Sequence, residues 1–199
     1  MLLEKLKDEI GNMDIYLLDQ ILKGRYLREQ IILDAGCGNG RNLKWFYNNS
    51  YTIFGIDGDF DKIEEVKKQY IIQRENFTVN SVENLPFENE SFHHILCNAV
   101  LHFAENEAHF YNMFSELVRV LKPNGSLFIR TASDIGIEDK VLHLTSGVYT
   151  LPDKTERFLL TKPLLDKITK KYYLSFLEPL KTVNVNDKRS MTTLVLQKP

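Results

Sequence analysis

Only two cysteines, Cys37 and Cys97, occur in 199 residues. That is too few for a disulfide framework and fits a reducing, cytoplasmic setting. No apolar run approaches the roughly 20 residues that span a bilayer, so no membrane helix is expected. Charges at positions 4, 5, 7, 8 and 9 do not suit a signal peptide. With 10 Gly, 6 Pro and no repeat or low-complexity run, collagenous and disordered classes are excluded. What is present is ordinary: 43% hydrophobic and 26% charged residues. At roughly 100–200 residues per domain, this length suits one domain over residues 1–199 that needs no metal or disulfide staple.

The net charge of −2 argues against a dedicated nucleic-acid binder. It conceals a split. Residues 151–199 hold 10 Lys and Arg against 5 Asp and Glu, whereas the first 150 hold 15 against 22. An uneven solvated surface accounts for this, since a basic segment alone specifies no partner.

Two helices are expected at the start, the second with Ile15, Leu18 and Leu22 at helical spacing and Gly24 as its stop. A strand–helix rhythm follows. Strands are expected at 30–34, 51–56, 77–79, 94–97 and 126–130, and helices near 39–48, 59–72 and 105–121. This alternation implies an α/β, doubly wound, mostly parallel sheet covered on both faces. After a helix near 162–171, segments 172–177 and 191–196 read as strands joined by the polar stretch 181–189. They are expected to form a carboxyl-terminal antiparallel hairpin.

The segment Leu33-Asp-Ala-Gly36-Cys-Gly38-Asn-Gly40-Arg-Asn is the most informative. A glycine-rich turn between strand and helix lets a ligand approach the backbone closely. In an open parallel sheet it lies at the carboxyl end of the strand, where ligands bind. Its G-x-G-x-G spacing puts Arg41 where a dinucleotide fold would want a third glycine, which disfavours a pyrophosphate. Asp57 ends the second strand, 21 residues after Gly36. That suits a carboxylate accepting from two ribose hydroxyls. It equally suits a helix N-cap.

These segments resemble the Rossmann-like, class I S-adenosylmethionine-dependent methyltransferases. Asp34-Ala-Gly-Cys-Gly-Asn-Gly40 matches the family's first motif, and Asp57-Gly58 its ribose-binding acid. Ser81-Val-Glu-Asn-Leu-Pro-Phe87 resembles the segment near the adenine. Ser81 stands there in place of the usual Asp, and His93 replaces the usual strand-opening Asp. Cys97-Asn98-Ala-Val-Leu-His102 resembles the segment after the fourth strand, and Leu121-Lys-Pro-Asn-Gly-Ser-Leu127 the turn before the fifth. The likeness runs from about residue 30 to 131. It implies strand order 3-2-1-4-5-7-6 and S-adenosyl-L-methionine as cofactor. The implied cofactor contacts are Asp34, Gly36, Cys37, Gly38, Gly40, Asp57, Gly58, Ser81, Val82, Glu83, Cys97 and Asn98.

The implied reaction is an in-line attack on a sulfonium-bound methyl group, in which positioning carries much of the barrier reduction. A general base is needed only for a protonated nucleophile. His102, after the fourth strand, is the candidate base; a structural hydrogen bond is the competing role. Adjacent His93 and His94 point to opposite faces of a strand, so no metal site is expected. Both cysteines suit packing. Residues 131–160 form the expected substrate-side insertion, with Tyr149 and Arg157 as candidate contacts. Residues 1–29 form a helical cap in which Tyr16 is a third. The leading expectation is methyl transfer to a small molecule, with no nucleic-acid or membrane partner. Transfer to RNA or protein, a catalytically silent binding domain and a nicotinamide-dependent oxidoreductase compete with it.

Overall fold

The computed structural model describes residues 2–199; Met1, where the expected domain begins, lies outside the described residues. Strands β1 (Ile31–Ala35), β2 (Thr52–Asp57), β3 (Phe77–Val79), β4 (Phe92–Asn98) and β5 (Leu121–Ser133) build the centre of one sheet. Their pairings β3-β2-β1-β4-β5 are all parallel. Apolar side chains alternate along each strand between two cores. Leu33, Ile95, Cys97, Leu127 and Ile129 face one core, where helix α5 (Glu107–Val120) and helix α6 (Lys162–Lys171) cover them. Ile32, Ile53, Leu96 and Phe128 face the other, under helices α2 (Ile15–Leu22), α3 (Lys44–Asn48) and α4 (Phe60–Gln69). Burial on both faces explains why these strands read as continuous apolar runs.

Several boundaries differ from expectation. Helix α3 begins at Lys44, because Gly36, Gly38 and Gly40 all adopt positive φ and extend the turn. Helix α2 buries Leu17 and Gln20, leaving Ile15 and Leu22 exposed. Lys122–Gly125 does not precede the fifth strand. It bulges out of β5 between the Phe92–Leu121 and His94–Ser126 pairs.

The terminal hairpin joins β10 (Lys181–Val185) to β11 (Arg189–Gln197), so the stretch expected as a polar connector supplies the first arm. Edge position explains this, since β10 needs no apolar face on both sides. Segment 172–177 contributes only β9 (Ser175–Phe176), which pairs with the far end of β11. Strand β11 lies antiparallel against β5. The order is thus β10-β11-β5-β4-β1-β2-β3, as the resemblance implies, with β9 as the addition. Within 131–160, read only as an insertion, three short strands form a separate antiparallel sheet: β6 (Leu142–Thr145), β7 (Val148–Thr150) and β8 (Glu156–Phe158).

No helix among the described residues is long and apolar enough to cross a membrane. His94 is buried, with its ring nitrogens 2.7 Å from Ser126 Oγ and 2.6 Å from Gln30 Oε1. His93 turns the other way and accepts from the Ile31 amide.

Candidate cofactor and acceptor site

Parallel pairing of β1 with β2 and β4 brings three strand ends together, at Ala35, Asp57 and Asn98. The amides of Gly36 and Cys37 both donate to Ile56 O, at 2.9 and 2.8 Å, and tie the glycine turn to β2. A cavity of about 490 Å³ opens above these ends. The turn contributes Gly36, Cys37 and Gly38 to its wall, and β2 contributes Asp57 and Gly58. Ser81, Val82 and Glu83 form the facing side, and Asn98 comes from the end of β4.

The glycines differ in what they do. Gly38 has φ +55°, and a Cβ there would meet nothing within 4 Å. It leaves a cradle that a side chain would fill. Gly40 has φ +74°, and a Cβ would fall 2.7 Å from Tyr70 Cε2, while the Tyr70 hydroxyl donates to Gly40 O at 2.7 Å. Gly40 packs the turn against α4 and stays outside the cavity wall, as does Cys97, which is wholly buried in the core.

Asp57 Oδ2 accepts from the Gly38 amide at 2.8 Å, and Oδ1 from the Asp59 amide at 3.0 Å. The cap of α4 is Asp59, whose Oδ1 accepts from Asp61 and Lys62 amides. Asp57 is therefore not the helix cap. Its carboxylate lines the cavity and keeps further lone pairs.

Two buried polar side chains lack partners. Both side-chain polar atoms of Asn98 are buried without a hydrogen bond, and so are both carboxylate oxygens of Asp34 just behind the turn. Such orphans are uncommon in native proteins and each calls for an explanation. Burial raises the Asp34 pKa to about 7, with Arg41 opposing the shift and Asp57 adding to it. An open cradle, a free-edged carboxylate and orphaned buried groups fit a polar, partly cationic nucleoside ligand. Phe103, His109 and Met113 also line the cavity and were not among the candidates, and Arg41, read only as disfavouring a pyrophosphate, lines it too. The signal for His109 was available, as a polar side chain four residues before Met113 on an otherwise apolar helix face.

A second cavity of about 350 Å³ neighbours the first and shares Ala99 with it as a wall residue. Ala99 has φ +62°, a left-handed conformation that costs a non-glycine residue roughly 1 kcal/mol or more. Its amide donates to Arg130 O at 2.7 Å. His102 and Arg157 line this second space. His102 Nδ1 accepts weakly from the Ala132 amide at 3.4 Å. Burial, aided by Arg157, lowers its pKa to about 4, so the ring is neutral at pH 7. The other two candidate contacts lie elsewhere. Tyr16 lines neither cavity; its ring packs under the Arg130 guanidinium, 5.5 Å from the centroid. Tyr149 lines a separate cavity with His143 and Lys167. Tyr149 stood in a segment without helical or strand periodicity, which gave no means of ranking it, and Tyr16 lies on helix α2.

Comparison with known proteins agrees with this geometry. Residues 33–129 match the family model described as a methyltransferase domain. An uncharacterized methyltransferase of Bacillus subtilis (strain 168), YodH, is 34% identical over 114 residues, which is 55% of this chain and 43% of that protein. The chain thus spans less than half the length of this relative. A solved S-adenosylmethionine-dependent methyltransferase of Methanosarcina mazei shares the fold, with a TM-score of 0.73 at 18% identity over 89% of this chain and 96% of that one. So does the 1,6-didemethyltoxoflavin-N1-methyltransferase of Burkholderia thailandensis, solved with 1,6-didemethyltoxoflavin and S-adenosylhomocysteine. Its TM-score is 0.69 at 17% identity, over 97% of this chain and 80% of that one. Residues 33–129 thus form a methyltransferase domain of the Rossmann-like, S-adenosylmethionine-dependent class, whose cofactor is S-adenosyl-L-methionine.

Proposed function

We propose that the protein methylates a small molecule that enters through the cavity lined by His102 and Arg157. The observation that carries this reading is that this cavity adjoins the cofactor-sized one, with Ala99 in the wall of both. Asp57 receives the ribose hydroxyls, Val82 packs against the adenine with Ser81 and Glu83 at its edge, Asn98 bonds the cofactor's remaining polar groups, and Asp34, outside the cavity wall behind the turn, acts on its cationic end through the field. Bound there, the cofactor supplies a sulfonium-activated methyl group for in-line displacement by a lone pair, with the thioether as leaving group. The second cavity then orients the acceptor, and orientation alone supplies on the order of 7–11 kcal/mol in well-aligned systems.

Within this reading His102 acts as a hydrogen-bonding residue. With Nδ1 accepting from Ala132, the proton sits on Nε2, so the ring donates to the acceptor. A conjugate acid near pKa 4 also makes a weak base. The site therefore suits an acceptor whose lone pair is already free at neutral pH.

The test is incubation with methyl-labelled cofactor, a metabolite extract, total RNA and total protein, followed by separation. Label is expected in the low-mass fraction. Label in RNA or protein would replace the small-molecule reading. The cradle has its own prediction. Gly38→Ala should weaken S-adenosylhomocysteine binding about fivefold or more, equivalent to roughly 1 kcal/mol. Its melting temperature should fall by only about 2–4 °C, since a left-handed alanine costs roughly 1 kcal/mol. Unchanged affinity would show that no ligand approaches this turn.

A further inference from the structure

The second cavity carries a charge pattern that the family motifs do not account for. Three arginines line it, Arg130, Arg157 and Arg189, against a single carboxylate, Asp153. They come from three separate elements, β5, β8 and β11. Arg130 is held by Asp14, at 3.0 Å, and its Nε is buried without a partner. Among the described residues, no carboxylate lies within 4 Å of Arg157 or Arg189 in an ion pair. Arg157 is steadied by the Glu156 carbonyl at 2.6 Å and by the ring of Phe103, 5.3 Å from its centroid. Asp153 is engaged by its own loop. Its Oδ1 accepts from the Thr155 amide and hydroxyl, at 3.0 and 2.6 Å. Those bonds hold its carboxyl below the usual range, with Arg189 and Arg157 adding weaker attraction.

Resting on the methyltransferase reading above, we propose that this cavity binds an acceptor bearing a carboxylate or phosphate group. Arg157 and Arg189 grip that group. Guanidinium forks match both anions in a bidentate way; Arg157 is half-buried, which strengthens its bonds, and Arg189 reaches in from the exposed rim. Leu151 and Met191 supply an apolar wall beside the arginines, so the anion is attached to an apolar body. A volume of about 350 Å³ falls in the range of small-metabolite sites. The proposal also gives two of the basic residues in the 151–199 segment a purpose, since both arginines belong to that excess.

The test is a titration of the full-length protein, labelled with ¹⁵N-arginine, with inorganic phosphate and separately with acetate. It is run with and without saturating S-adenosylhomocysteine. The Nε–Hε resonances of Arg157 and Arg189, and that of Arg130 in the same cavity wall, should move saturably, with dissociation constants on the order of millimolar. Exposed Arg28 and Arg74 serve as internal references for nonspecific screening. A stronger response to phosphate assigns a phosphoryl acceptor, and a stronger response to acetate a carboxylate. Shifts at Arg157 and Arg189 no larger than at the references overturn the proposal. In the Arg157→Ala/Arg189→Ala variant the saturable response of Arg130 should be lost, and its persistence would likewise count against the assignment. The titration without S-adenosylhomocysteine reads the arginines directly, so failure of cofactor binding would overturn the enzymatic reading without deciding the anion site.

Discussion

Asp34→Asn is expected to make the ligand-free protein more stable at pH 7 while weakening its hold on S-adenosylmethionine. The buried Asp34 carboxylate has no protein partner, and burial raises its pKa to about 7. A group whose folded-state pKa lies above its unfolded value contributes its stability below the unfolded value. That contribution is lost as pH rises through the folded one. For Asp34 the window runs from about pH 4 to 7. At 1.36 kcal/mol per pKa unit, the ionisable side chain costs the folded state about 4 kcal/mol at pH 7, as an order of magnitude. Asparagine removes that cost but keeps an unpartnered amide, so the gain is at most this figure. For a chain of this size that upper bound corresponds to roughly 8–16 °C in melting temperature. The advantage should shrink through pH 4 and vanish below about pH 3, where the wild-type carboxyl is neutral in both states. Affinity should move the other way. A cofactor carrying sulfonium and ammonium charges favours the ionised carboxylate, so wild-type affinity should rise between pH 6 and 8. The variant should bind about tenfold more weakly at pH 8 and show no such rise, as an order-of-magnitude expectation for a lost charge interaction. A variant no more stable than wild type at pH 7 would show that Asp34 is not a strained buried acid.

Asp57→Ala should weaken cofactor binding by about ten- to a hundredfold, since hydrogen bonds to a charged acceptor are worth roughly 1.5–3 kcal/mol. The two bonds to Gly38 and Asp59 amides make Asp57 a brace of the turn as well as a ligand. Loss of that brace loosens the cradle, so part of the effect arises from Gly38. Asp59 remains as the cap of α4, which should leave the helix and the fold in place. Calorimetric affinity together with an unchanged circular dichroism spectrum checks both statements. Unchanged affinity would remove the ribose assignment.

The parallel core was legible because fully buried strands read as apolar runs and their covering helices show 3.6-residue spacing at Ile63, Val66 and Tyr70 and from Phe110 to Leu117. The turn around Gly38 was legible because glycine at positive φ leaves a direct mark on the sequence. The edge was not. Strand β10 is half-exposed and polar, and only its pairing with β11 makes it a strand. The small sheet β6-β7-β8 escaped for the same reason, since β6 is exposed throughout. The second cavity assembles Arg130, Arg157 and Arg189 from positions up to 59 residues apart. No local pattern announces such a convergence. Arg157 was singled out, while Arg130 and Arg189 belong to strands whose pairing had to be known first.

The most direct measurement is a calorimetric titration of the wild-type protein with S-adenosylhomocysteine and, separately, with NAD. One equivalent of S-adenosylhomocysteine should bind, with no heat from NAD. Binding of NAD without S-adenosylhomocysteine would contradict the account.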